Sequence, residues 1–259
     1  MAKGTRGGKR ITASIRAAAP KVTPTQVVPP TPQQVAQGNV LPKGGVPYSD
    51  FQNMTDDEKA DVITDALGVG TPLFLDDSGL QKFAYFTGMS DKPKTVTDAQ
   101  LDGMQGQELF RTVNDAYNRS TDIGYTSNDI VKQIRDGDFT MYSDSGGSVH
   151  GKAIYFADNY ADSSYYGNRG SNPLTMRAKV TGGQTISESR LDTQYRNALR
   201  SGDKLALACS NADHGSARNL YGLAKGYSVV TAGNYYMVLN RGALTVSDTA
   251  KKTVYGGTW

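Results

Sequence analysis

The sequence predicts an α+β fold. From Gln107 onward, short runs rich in β-branched and aromatic residues alternate with helical patterns, and a helical stretch and a basic arm precede them. The strand candidates are ELFRTV, GKAIYFA, LTMRAKV, YSVVTA and YYMVLNRGALTV. Helices are expected near Ser127 to Arg135, Asn159 to Tyr166, Asp192 to Arg200 and Ala217 to Ala224. The first of these carries Thr126 or Ser127 as its cap and turns Ile130, Val131 and Ile134 inward.

Three segments follow from composition and punctuation: a disordered basic Pro-rich arm over 1–48, a small helical lobe over 49–106 and a main domain over 107–259. Met1 to Ser49 contains no Asp or Glu, seven Lys or Arg and seven of the chain's ten prolines. VVPPTP within it favours extended polyproline II geometry. Such an arm suits contact with phosphate, hence nucleic acid, or service as a docking tail. The formal net charge of +3 lies within what the arm supplies, so the remainder offers no broad phosphate-binding face. In the lobe, Thr55 with Glu58 forms a capping-box pattern ahead of Ala60, Ile63, Ala66 and Leu67, predicting a helix from about Asp56 to Leu67. Ser78 and Thr97 head two further short helices, joined by a turn at Pro93.

Composition also narrows the function. One cysteine, Cys209, excludes an intramolecular disulfide framework and reads as a small buried hydrophobe. No apolar run approaches the length of a membrane span, and the start MAKGTRGGKRITASIRAAAP is too weakly apolar for a signal peptide. With only His150 and His214, no metal site is expected. The absence of a GxGxxG turn disfavours a hydride-transferring Rossmann enzyme.

The segment from Gly151 to Tyr166 (GKAIYFADNYADSSYY) places Tyr155 on one strand face with Ala153 and Ala157, whose small side chains leave room for a planar ligand. Ile154 and Phe156 point to the other face, and Ser163 and Tyr166 sit three apart on the following helix. This segment resembles the central motif of poly(ADP-ribose) polymerases and of related bacterial and phage ADP-ribosyltransferases. The resemblance implies that Tyr155 packs against the nicotinamide ribose, Ser163 bonds the carboxamide and Tyr166 stacks on the nicotinamide ring. Upstream, Glu108 to Val113 (ELFRTV) resembles the family's first motif, with Arg111 in the NAD-holding place and Thr112 beside it. A guanidinium is apt there because its rigid donor fork suits a diphosphate or ribose. Ala217 to Val246 resembles the C-terminal part of phage-associated members. The fold so implied is an ADP-ribosyltransferase-like split mixed β-sheet with flanking helices.

One position departs from the family. Many active relatives open the last of these strands with a glutamate that bonds the nicotinamide ribose and opposes charge at its anomeric carbon. Here Tyr235 stands in that place, give or take one residue, and no Glu follows Glu188. Glu108 and Asp158 alternate away from the site, and Asp162, beside Ser163 on the helix, could lean toward the pocket rim although a solvated helix face is its default, so no acid is well placed by sequence. Arg111, Tyr155 and Tyr235 are the candidate catalytic residues. Arg111, Thr112, Tyr155, Ala157, Ser163 and Tyr166 are the candidate contacts to NAD, taken as substrate. The resemblance implies a phage-encoded mono-ADP-ribosyltransferase of weak activity, located in the virion or the host cytoplasm and acting on a protein or nucleic-acid acceptor. The alternative is a virion-associated structural or interaction protein with a catalytically degenerate fold of this kind.

Overall fold

A computed structural model describes residues 48–67, 92–118, 123–136, 153–167, 170–212 and 214–259. The arm expected over 1–48 and the helix expected after Ser78 lie outside the described residues, apart from Tyr48 itself. The architecture is mixed α and β. One eight-stranded mixed sheet is flanked by helices on both faces.

The N-terminal helices α1 (Tyr48–Asn53) and α2 (Asp56–Leu67) come first. Thr55 and Glu58 exchange side-chain and backbone hydrogen bonds at the head of α2, the reciprocal box that the sequence predicts. Strand β1 (Lys94–Val96) follows Pro93, where a turn was expected. Helix α3 (Asp98–Asp102) is boxed by Thr97 and Gln100. Strand β2 (Glu108–Val113) leads to the small ribbon β3 (Ala116–Asn118) and β4 (Ile123–Tyr125), then to α4 (Ser127–Arg135). Strand β5 (Ile154–Ala157) and helix α5 (Tyr160–Gly167) precede β6 (Leu174–Val180) and β7 (Gln184–Ser187). Helices α6 (Glu188–Ser201), α7 (Lys204–Cys209) and α8 (His214–Ala224) lead to β8 (Tyr227–Ala232) and β9 (Tyr235–Val238). A 3-10 turn (Arg241–Ala243) separates β9 from β10 (Leu244–Lys252).

Spatial order in the sheet is β1-β10-β6-β2-β5-β9-β8-β7. The β1–β10 and β7–β8 pairs are parallel and the rest antiparallel. Most neighbours share three to six registered pairs, but β2 and β5 share one, Phe110 with Ala157. That seam divides the sheet into two halves.

Strand alternation sends side chains into two cores. On one face Ile154, Phe156, Leu109, Val113, Met176 and Val238 meet Ile130, Val131 and Ile134 of α4, as expected for both elements. On the other face Val230, Met237 and Leu239 pack with Leu191, Leu205, Leu220 and Leu223 of α6 to α8. Phe51, Ala60 and Ile63 of α1 and α2 belong to this same core. The Lys59 ammonium donates to the Ala224 carbonyl (2.9 Å) and Gln52 to that of Leu223 (2.9 Å), which satisfies the C-terminal end of α8. The stretch expected as a separate helical lobe thus has no core of its own among the described residues. It completes the core of the main domain, and β1 extends that domain's sheet.

The run YYMVLNRGALTV, expected as one strand, is two strands on opposite sides of the seam. The chain leaves β9 at Leu239 and Asn240, whose N–H groups both donate to the Ser228 carbonyl. The Asn240 side chain accepts from Gly242 N–H (2.9 Å). The fully buried Arg241 donates to the carbonyls of Gln133 (2.9 Å) and Ile134 (3.2 Å) at the end of α4. These bonds pin the crossing that delivers β10 between β1 and β6. Cys209 is buried in the α6–α8 core, where burial pushes its thiol well above the ordinary value. No helix among the described residues is long and apolar enough to cross a membrane.

The half of the sheet bearing β6 and β10 carries an unusual polar layer on the α5 face. Arg177, 6% exposed, donates to Glu108 through Nε (2.7 Å) and Nη2, contacts Asp102, and lies 3.5 Å from Asp98. Trp259 stacks over it at 5.6 Å. Burial alone would raise the Asp98 carboxyl, but hydrogen bonds from Ser247 (2.6 Å) and Thr249 (3.0 Å), with Lys251 and Arg177 nearby, hold it below its ordinary value. A lowered folded-state pKa contributes stability that is present above the unfolded value and is lost as pH falls through the folded one. Thermal unfolding is therefore expected to show an acid limb below the ordinary aspartate value of about 3.9. Asp98→Asn should be less stable at neutral pH and should flatten that limb. An unchanged limb would show that the cluster does not couple to folding.

Candidate functional site

The seven residues singled out from sequence lie along the seam between β2 and β5, Arg111 on the α4 face of the sheet and the other six on the α5 side. Arg111 lies between Leu109 and Val113, both buried in the α4-face core. Its half-buried guanidinium donates through Nη1 to the Tyr155 carbonyl at 2.7 Å. The side chain thus ties β2 to β5 where the backbone ladder has one pair. A charge-assisted bond of this kind is stronger than a neutral one.

Thr112 projects to the opposite face, under α5. Its hydroxyl contacts those of Ser163 (2.9 Å) and Thr175 (2.7 Å), and Thr175 contacts Thr253 (2.8 Å). The helix comes this close because Gly167 has no side chain: a Cβ there would stand 2.3 Å from Thr112 Cγ2 and 3.3 Å from Pro173 Cβ. Ser163 is buried, while Tyr166 is 49% exposed. The two were expected to share a ligand-facing side of the helix, yet a three-residue step leaves them about 60° apart around its axis. Ser163 faces the sheet and moors α5. Tyr166 overhangs the rim.

At that rim the Tyr166 hydroxyl donates to the Tyr235 hydroxyl (3.0 Å), and their rings meet edge to face with centroids 6.1 Å apart. Tyr235 opens β9, pairing with Ala157 on one side and Ala232 on the other. Ala157 is buried and also opposes Phe110 across the seam. Tyr155, half-buried, opposes Met237 and packs with Ala153 against the α6–α8 core, on the face that alternation assigns it. Tyr236 points the other way, against the α4-face core, where burial and the nearby Asp158 carboxylate raise its phenol.

Sequence reasoning missed the partners at the rim. Asp162, for which a solvated helix face was the default and a lean toward the pocket rim the alternative, is half-buried and accepts from the side-chain amides of Asn159 (2.7 Å) and Asn234. Asn234 also accepts the Asp158 N–H at its carbonyl (3.0 Å), so the β8–β9 turn is held against the start of α5. The signal available in sequence was Asp162 four residues before Tyr166, which puts both on one side of the helix. Exposed Tyr165 adds a second ring at 5.9 Å from Tyr166. Among the described residues no cluster of three or more His, Cys, Asp or Glu gathers to hold a metal ion.

Comparison of the chain with protein-family models, curated proteins and solved structures gives no match.

The hydroxyl chain is the mooring of the site. Thr112→Val keeps the shape but leaves the buried Ser163 and Thr175 hydroxyls without their shared partner. The expected loss is about 1–3 kcal/mol in urea unfolding. A midpoint and slope equal to wild type would show that the chain of hydroxyls does not stabilise the fold.

Proposed function

We propose that this chain binds NAD at the β2–β5 seam and acts as a mono-ADP-ribosyltransferase of low activity. One observation supports this above the others. Residues drawn from three separated segments, each resembling a motif of that family, meet in pairs: Arg111 with Tyr155, Thr112 with Ser163, Tyr166 with Tyr235. The chemistry asks for little covalent help from the protein. Nicotinamide leaves a ribose that acquires oxocarbenium character, and the site must position the dinucleotide and stabilise charge.

In this reading the exposed Tyr166 ring stacks on the nicotinamide, and Tyr155 packs against its ribose. Arg111, bonded through Nη1 to the Tyr155 carbonyl, is the residue that holds the diphosphate or the adenosine ribose. The acceptor is a protein or a nucleic acid, the latter in keeping with the basic arm of Met1 to Ser49. A phage origin, with residence in the virion or the host cytoplasm, belongs to the same proposal.

A second reading has a specific observation in its favour. Tyr235, not an acid, opens β9 opposite Ala157. A tyrosine can bond a ribose hydroxyl but cannot oppose positive charge as a carboxylate does. A virion-associated structural or interaction protein that has kept the fold and lost turnover would look the same at that position. Labelled NAD incubated with the purified chain and a bacterial lysate separates the two, since transfer of label to an acceptor excludes the structural role.

Ligand binding to the folded state alone raises stability by about 2.7 kcal/mol at a hundred times the dissociation constant. NAD is therefore expected to raise the melting temperature of the chain. Arg111→Ala and Tyr166→Ala should each remove that rise. A rise that survives both substitutions would place the NAD site elsewhere.

A further inference from the structure

We infer that Asp162 supplies the carboxylate that the head of β9 lacks, as a catalytic residue for cleavage of the nicotinamide–ribose bond, an inference that rests on the NAD reading above. Three features carry it. First, Asp162 and Tyr166 are four residues apart on α5 and so share one side of the helix. Second, both reach the same short stretch of chain: Tyr166 bonds Tyr235, and Asp162 takes the amide of the preceding residue, Asn234. The carboxylate therefore stands one residue from the start of β9, across from the exposed Tyr166 ring. Third, it is held in a fixed orientation. Asn159 and Asn234 both donate to Oδ2, and the Asp162 N–H donates to Asn159 Oδ1 (2.8 Å), which fixes the plane of the group. Oδ1 takes no hydrogen bond from the described residues, and it is the oxygen left to accept a ribose hydroxyl.

Two other acids come into question. Asp158 shares the Asn159 amide with Asp162 (3.0 Å) and acts on the Tyr236 phenol, whose ring faces the α4 core, and it takes no amide from Asn234 among the described residues. Glu108 is held by Arg177. Among the described residues Asp162 is the acid that both shares a helix side with Tyr166 and bonds the residue preceding Tyr235.

In the step itself the bond between the ribose anomeric carbon and the pyridinium nitrogen breaks, and its electron pair leaves on nicotinamide, which departs neutral. The ribose becomes an oxocarbenium. Water, or the acceptor in its place, supplies the new electron pair and releases its proton to solvent. The Asp162 carboxylate accepts a hydrogen bond from a ribose hydroxyl and opposes the charge that grows on the sugar.

The test measures nicotinamide release and the NAD-induced melting shift for the full chain and for three variants. Asp162→Asn is nearly isosteric, Asp162→Ser is smaller and also neutral, and Asp162→Glu retains the charge. Expected are a melting shift retained in all, nicotinamide release slowed about a hundredfold in the neutral variants with KM little changed, and partial recovery in Asp162→Glu. Release at the wild-type rate by either neutral variant overturns the inference. So does Asp162→Glu performing no better than Asp162→Asn, which would reduce Asp162 to a clamp on the β8–β9 turn. A wild-type chain that binds NAD but releases no nicotinamide overturns the inference and leaves NAD binding standing. A wild-type chain showing neither shift nor release overturns the NAD reading, and the inference with it.

Discussion

The two halves of the sheet meet through one backbone pair, Phe110 with Ala157, and a single arginine bridges the place where the ladder stops. A strand pair that diverges exposes N–H and C=O groups that the ladder would otherwise satisfy, and each needs another partner. Arg111 provides one at the Tyr155 carbonyl. On the α5 side of the seam Tyr166 and Tyr235 meet through their hydroxyls, and Ala157 pairs with Tyr235 in the buried ladder beside them. A fuller ladder between these strands would close the ground on which a ligand could sit. Where the β2–β5 pairing is incomplete, the Arg111 side chain satisfies a backbone carbonyl that the ladder leaves.

Buried cations recur wherever the chain makes a demanding connection. Arg241 holds the crossing from β9 to β10 by bonding carbonyls at the end of α4, and Lys59 meets a carbonyl at the end of α8. Both positions answer the negative end of a helix dipole with a positive group as well as satisfying orphan carbonyls. Arg177 differs because its partners are carboxylates: Glu108, Asp98 and Asp102 gather strand β2 and helix α3 around it. Ion pairs of this sort contribute little net stability relative to a well-packed apolar layer, but removing one partner is costly. Their effect is to fix which elements meet. Here they dock α3 and the C-terminal Trp259 on the half of the sheet that carries Thr112 and Thr175.

Tyrosine shapes the rim. Tyr166 and Tyr165 expose roughly half their surface, while Tyr160 at the other end of α5 is buried, with its hydroxyl accepting from Val254 N–H and donating to the Val254 carbonyl. One short helix is therefore anchored at its first residue by a ring in the core and presents rings to solvent at its last turn. Gly167 lets it lie directly on β2. The arrangement is rigid under the helix and open at its end, which suits a planar ligand entering from solvent.

The sequence by itself determined the elements whose signals are local. The capping box at Thr55, the helix head at Thr97, the cap at Thr126 or Ser127, the 3.6-residue period of α4 and the alternation of Ile154 and Phe156 against Tyr155 state their outcome within a few residues, because short-range hydrogen bonds and side-chain direction decide them. Tyr236 pointing away from Tyr235 was legible for the same reason. Tertiary structure alone decided what depends on partners distant in the chain. Nothing local says that Arg241 would find the end of α4 and break a twelve-residue apolar run into strands on opposite sides of the seam, or that α1 and α2 would fill the core of the main domain. Strands β1 and β7 are too short to show a period and exist because β10 and β8 offer them edges. The partner of Asp162 was hidden likewise: its place beside Ser163 allowed a lean toward the rim, but only the turn carrying Asn234, seventy-two residues later, decides it over a solvated helix face.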